Sequence, residues 1–224
     1  MKLQLNEEQN HYPFKYGYYK HTFYALIFPI YLIGFFIVER MVPTLNEVDI
    51  ILYHPIDDLI PFCEYFLIPY FLWYPFMFFP GIYLMFRDAE NFKKYMIFVG
   101  VTFISSLFFF LAIKNGQDLR PVSFENDNIF IDGVKYLYTI DTNTNSCPSL
   151  HVAGSFIPVF ASFKCKYMKS LWIKIFFIVG AVIISASTVF LKQHSIIDTV
   201  VGLPWVTIAF IIVYILPEKI NKNK

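Results

Sequence analysis

A chain of 224 residues that is 57% hydrophobic, 21% aromatic and only 16% charged is not a soluble domain, which averages about 25% charged residues. Its mean hydropathy of +0.52 and 27 phenylalanines point to a polytopic membrane protein, so length here counts spans better than domains. A net charge of +1 offers no field that would recruit nucleic acid, and Cys63, Cys147 and Cys165 form no Cys-x-x-Cys pair, which argues against a structural zinc site.

Residues 1–21 are polar and aromatic. No apolar h-region or small-residue cleavage site follows the short basic start, so no cleaved signal is expected. Tyr12, Phe14, Tyr16, Tyr18 and Tyr19, with Lys15 and Lys20, suit either an interfacial helix or a disordered tail. Six spans follow. Thr22–Val38, Tyr65–Phe86, Tyr95–Ile113, Leu171–Leu191 and Thr199–Leu216 each approach the roughly 17 to 25 residues that a bilayer needs. The fourth in order, Ser149–Phe163, is short, so it is expected to begin below the membrane surface, inside protein. Pro69, Pro75 and Pro80 in the second span are tolerable where neighbouring helices satisfy the freed carbonyls.

The fold class is all-α, a six-helix membrane bundle. Residues 22–216 form one domain, between the N-terminal segment and a cytoplasmic tail at 217–224. Only Arg40, Lys114, Arg120, Lys135 and Lys192 fall on one side of this topology, which leaves 13 of the 18 basic residues on the other. Basic residues favour the cytoplasm, so both termini are expected there, most simply in the plasma membrane.

Span parity then matters. The end of the third span (KNGQDLRP, Lys114 to Pro121), the start of the fourth (NSCPSLHVAG, Asn145 to Gly154) and the turn between the last two (KQHSIID, Lys192 to Asp198) share one face, the outer one. His194 and Asp198 are four apart, so on a helix they share a side. A carboxylate there holds one ring nitrogen of the imidazole and frees the other as nucleophile or base. His151 supplies a second imidazole, just inside a helix that Ser149 would cap. A helix N-terminus attracts anions, and Arg120 and Lys192 add fixed positive charge. Together these groups suit phosphoryl transfer without a metal or other cofactor. Taken singly, each has a bland reading as an interfacial or helix-ending residue; three such clusters on one face favour function.

The three stretches resemble the signature of the type-2 phosphatidic acid phosphatase superfamily, K-x6-RP, then PSGH, then SR-x5-H-x3-D. The matches here are Arg120–Pro121, Pro148–His151, and Ser187 to Asp198, and the resemblance spans about residues 60–202. It implies that His194 attacks phosphorus and becomes a phosphohistidine, that Asp198 orients it, and that His151 protonates the leaving oxygen. It implies that Arg120 and Ser149, with nearby backbone N–H groups, hold the phosphate oxygens. Leu150 replaces the glycine of PSGH, a form similar to the branch with inositol phosphorylceramide and sphingomyelin-type synthases and many bacterial phosphatases. Five residues, not six, separate Lys114 from Arg120, which turns Lys114 by about 100° on a helix. Thr188 stands where the third motif has arginine, and Lys192, four residues on, is the expected substitute if that turn is helical.

The resemblance implies a membrane phosphatase acting on lipid phosphates or diphosphates. The alternatives are a lipid phosphotransferase and a non-catalytic lipid-binding or transport protein. Asp57 and Asp58 read as a helix cap ahead of the second span. Asp141 and Asn145 read as head-group contacts or turn formers, and Trp73, Trp172 and Trp205 as bilayer or packing residues.

Overall fold

Asp88 ends one membrane helix and starts the next. Its carboxylate accepts a hydrogen bond from Asn91 N at 3.1 Å, so the chain reverses with almost no loop. The computed structural model describes residues 18–222, so residues 1–17, where most of the aromatic N-terminal segment falls, lie outside the described residues.

A 3-10 stretch, Tyr18–Leu26, runs into α1 (Ile27–Met41). A two-residue strand β1 (Ile50–Ile51) and a single turn α2 (Ile56–Leu59) follow. Then come α3 (Leu67–Arg87), α4 (Ala89–Ala112), strand β2 (Asn115–Gly116), α5 (Ile129–Ile140), α6 (Leu150–Lys164), α7 (Leu171–Phe190) and α8 (Ile196–Phe210). A π-helical turn, Ile211–Ile215, carries α8 into α9 (Leu216–Lys222), so helix continues through the segment read as a tail. Five of these helical runs are long and apolar enough to cross a membrane: Lys20–Met41, Glu64–Arg87, Ala89–Ala112, Leu171–Phe190 and Ile196–Ile220. The sixth apolar helix, α6, has 15 residues.

Helix α6 is the hub. It packs on α7, α8, α3 and α4, and ten of its residues are buried. It is short because residues 144–149, just before it, are themselves buried, so its N-terminus starts within the protein. The outer helices turn apolar side chains outward: Ile33, Phe36 and Ile37 on α1, and Trp172, Phe176 and Val182 on α7, are exposed. Such a surface suits hydrocarbon, not water.

Helix α5 is an addition to the sequence reading. Asn128 caps it, accepting from Phe130 N and Ile131 N at 2.9 and 3.0 Å. Its buried side carries Ile131, Val134 and Leu137, and the last two join Leu67, Tyr70 and Leu191 in a small apolar cluster beside the main core.

The loops of one face are laced together. β1 pairs in parallel with β2, with Ile50 opposite Asn115, and Gly116 bridges to Thr144. A Cβ at Gly116 would lie 2.8 Å from Asn143 O, so only glycine allows this approach. The Asn115 side chain accepts from Cys147 N at 2.8 Å and donates to Cys147 O at 3.0 Å. Gln117 Nε2 donates to the carbonyls of Lys192 and Gln193 at 3.0 and 3.1 Å. The three polar stretches therefore do meet on one face.

Candidate active site

The His194 turn is built by a helix ending. The amides of Gln193 and His194 both donate to Thr188 O, at 2.9 and 3.2 Å, and Lys192 takes a left-handed φ of 53°. This is the reversal that closes many helices, with lysine where glycine is usual. The next helix starts at once. Ser195 caps α8, accepting from Ile197 N at 3.2 Å, while the carboxylate of Asp198 accepts from Ser195 N at 3.1 Å. The same carboxylate oxygen lies 3.2 Å from His194 Nδ1. Asp198 is fully buried and its other oxygen has no partner among the described residues. A fixed carboxylate on Nδ1 keeps the proton there and leaves Nε2 of His194 with its lone pair.

His151 lies on the first turn of α6. Its ring stacks on Tyr70 at 4.1 Å between centroids, leans on Trp73 at 4.5 Å, and stands 6.2 Å from the ring of His194. Its Nε2 is buried without a partner among the described residues. The two imidazoles can thus share one phosphoryl group. Ser149 caps α6, accepting from Val152 N at 3.4 Å, and its own N–H donates to Asp198 O at 3.2 Å, which joins the two helix starts. Gly202 permits this crossing: a Cβ there would lie 2.9 Å from Ser149 O.

Arg120 stands behind this wall. Its guanidinium donates to Tyr138 O at 3.1 Å, Asp141 O at 2.5 Å and Gln193 Oε1 at 2.6 Å, and lies over the Tyr138 ring. Burial pulls its pKa below the ordinary arginine value, against the opposing pull of Asp141. Its Nε has no partner among the described residues.

The two lysines expected as phosphate ligands are placed elsewhere. The Lys192 ammonium donates to Asp57 O and Ile60 O at 2.6 and 2.5 Å. The helix has already ended at Phe190, so the four-residue face rule linking positions 188 and 192 does not apply. Thr188 itself is buried and donates to Ser185 O at 2.8 Å. Burial lowers the Lys192 pKa, with Asp57 and Asp58 opposing. Lys114 lies at the end of α4, where its N–H donates to Asp49 and its carbonyl accepts from the amides of Asp49 and Ile50. Neither lysine lines the cavity at the histidines.

Asp57 caps a helix, though not the one expected. Its carboxylate accepts from Ser195 Oγ at 2.7 Å, Ile196 N at 2.8 Å and His54 N at 2.9 Å, so it holds the start of α8. Asp58 takes the Tyr53 hydroxyl. Tyr70, Trp73 and Gln193 were not singled out as site residues; only the side chain of Gln193, polar and adjacent to His194, left a sequence signal. The three cysteines are free thiols. Among the described residues, no three His, Cys, Asp or Glu side chains gather as metal ligands.

His151 and His194 open on a cavity of about 210 Å³. Its polar end holds Asp141, Thr142, Asn145 and Gln193. Its apolar end follows one stripe of α1: Phe28, Tyr31, Leu32, Phe35 and Phe36, ending at Glu39. Helix α1 packs chiefly on α4, and Phe28 meets Phe78 of α3 edge-on at 4.6 Å. Beyond that contact α1 and α3 flank the cavity, whose lining residues Phe36, Phe71 and Tyr74 are exposed at the surface of these two apolar helices.

A family model, the PAP2 superfamily, matches residues 75–222, about two thirds of the chain. The chain belongs to the PAP2 superfamily. The match takes in Arg120, Ser149, His151, His194 and Asp198, and leaves Glu39, Asp57, Tyr70 and Trp73 outside it. Comparison with curated proteins and with solved structures finds no match. PAP2 membership and the apolar helices support a membrane enzyme of phosphatase type whose relatives act on lipid phosphates.

Proposed function

We propose that this PAP2 protein hydrolyses lipid phosphates or diphosphates through a phosphohistidine on His194, without a metal. The observation that carries the reading is the contact of His194 Nδ1 with buried Asp198 at 3.2 Å, set 6.2 Å ring to ring from His151 on one cavity wall. Nε2 of His194 attacks phosphorus as the lipid oxygen leaves, and His151 gives that oxygen a proton. Water then attacks the phosphohistidine, with His151 taking its proton, and inorganic phosphate departs. The N-terminus of α6, capped by Ser149, receives the phosphoryl oxygens, and Arg120 lends its charge from behind the cavity wall through Gln193, whose Oε1 it holds at 2.6 Å.

Helix α6 serves as the sixth span, both termini are cytoplasmic and the site faces outward, a reading supported by the 13 basic residues on the other side. A second reading is transfer of the phosphoryl group to a lipid alcohol. The cavity rim between α1 and α3 favours it, since an alcohol dissolved in the bilayer reaches that opening as readily as water does. The PSLH form, similar both to the sphingolipid synthases and to many bacterial phosphatases, is compatible with either reading.

Purified protein in detergent, assayed against a panel of lipid phosphates for inorganic phosphate, tests the proposal. Phosphate release that vanishes in His194→Ala is the expected result. Consumption of the lipid without phosphate release would shift the assignment to the transferase. Binding without turnover of any lipid phosphate would leave a binding or transport protein.

A further inference from the structure

Phosphate binding alone does not account for the charges in the cavity. A phosphoryl group is anionic, yet among the described residues no Lys or Arg lines this cavity, and the charged side chains that do are the carboxylates of Glu39 and Asp141. Glu39 Oε1 accepts from Thr142 Oγ1 at 3.0 Å and from Thr142 N at 3.4 Å. Asp141 Oδ2 accepts from the Tyr70 hydroxyl at 2.5 Å and from Gln193 Nε2 at 3.4 Å. Among the described residues, the second oxygen of each carboxylate takes no hydrogen bond and is left for another donor. Tyr70 stacks on His151, so Asp141 adjoins the histidine pair.

Asn145 is the independent observation. It lines the same cavity, is only 7% exposed, and holds a left-handed φ of 52°. Its backbone N–H donates to Asn115 O at 2.6 Å, but neither atom of its side-chain amide has a partner among the described residues. A buried amide with donor and acceptor both unmet is costly, and a ligand with polar groups of its own would relieve it.

The geometry points to a subsite for hydrogen-bond donors beside the phosphate. The preferred substrate is a lipid phosphate with a hydroxyl or ammonium group on the carbon next to the ester carbon. That donor sits on Glu39 and Asp141, the Asn145 amide bridges it to the ester, and the tail follows the apolar stripe of α1. A plain alkyl or isoprenyl phosphate sets only hydrocarbon against the two carboxylates and leaves Asn145 unmet. The inference rests on the phosphatase reading for the placement of the phosphate at His194.

Three substrates of one chain length test it: dodecyl phosphate, 2-hydroxydodecyl phosphate and 2-aminododecyl phosphate. Phosphate release by the purified protein in detergent gives kcat/KM for each. The donor-bearing pair is expected to exceed the plain ester by about tenfold, the worth of one hydrogen bond to a charged group. Asn145→Gly, which keeps the left-handed backbone and both carboxylates, should shrink that preference by about threefold, the worth of one neutral hydrogen bond. Glu39→Gln, which keeps an acceptor but loses the charge, should cut the preference for the amine more than that for the alcohol. Equal kcat/KM for the three substrates, or a preference unchanged in both variants, overturns the subsite. Calorimetric titration of the same three ligands is the second readout. If none is hydrolysed, tighter binding of the donor-bearing pair keeps the subsite while the hydrolase reading falls, and equal binding overturns the subsite itself.

Discussion

Gly202→Ala adds a single methyl group at the point where α8 crosses the start of α6. The new Cβ would lie 2.9 Å from Ser149 O and 3.0 Å from Val152 Cβ, where ordinary contact begins at 3.4 Å, so the helices must part by about half an ångström. A backbone oxygen has no rotamer through which to escape. Overpacking of this kind costs about 1–3 kcal/mol, and alanine returns about 1 kcal/mol over glycine inside a helix. Net destabilisation is therefore about 0–2 kcal/mol, a fall of under roughly 8 °C in Tm for a chain of this size. The catalytic consequence is larger. The same displacement stretches the Ser149 N–H to Asp198 O bond, now 3.2 Å, and carries His194 away from His151. Misplacing reacting groups by an ångström costs about 100-fold, so kcat/KM should fall by about 10- to 100-fold. Phosphate release and a thermal melt of the same detergent preparation check both halves. Wild-type kcat/KM with a lowered Tm would refute the view that this crossing sets the site geometry.

Asp57→Ala strips three hydrogen bonds from the loop and from the start of α8 and leaves buried donors unmet, so thermal melts should show a loss of about 2–5 kcal/mol. Asp57→Asn keeps one acceptor and should lose roughly half as much. Lys192→Gly preserves the left-handed turn and should hold kcat/KM within about threefold, whereas Lys192→Val should cost about 1–2 kcal/mol of stability through backbone strain. A 100-fold drop in a well-folded Lys192→Gly protein would return that ammonium to the phosphate. For topology, Val122→Cys in a background free of Cys63, Cys147 and Cys165 should react with an impermeant thiol reagent on intact cells, and Lys93→Cys should not. The reverse pattern would put the active site in the cytoplasm.

The membrane helices were legible because a bilayer demands long apolar runs, and their ends were less so. The apolar pattern of the third span begins at Tyr95, but the helix begins earlier: Glu90, Lys93 and Lys94 form the first turns of α4, ahead of the apolar stretch. Helix α5 was missed because twelve residues broken by Asp132, Gly133 and Lys135 carry no span signal. At the site, His194 and Asp198 were legible from local spacing, and their meeting with His151 from span parity. Asp57 was not, since it caps a helix 138 residues away in the chain and no local pattern encodes that. The placement of Lys192 was not legible, because a helical spacing from Thr188 does not carry through a turn in which the helix has already ended.

The central claim is that His194 carries the phosphoryl group, and a quench-trapping measurement addresses it most directly. Wild-type protein would be mixed with a radiolabelled lipid phosphate, quenched in base within one turnover, and mapped by peptide mass spectrometry. The account predicts an alkali-stable, acid-labile phosphate on the peptide containing His194, absent from His194→Ala and persisting longer in His151→Ala with an activated ester, where water lacks its base. Steady turnover with no labelled histidine, or undiminished turnover in His194→Ala, would contradict it.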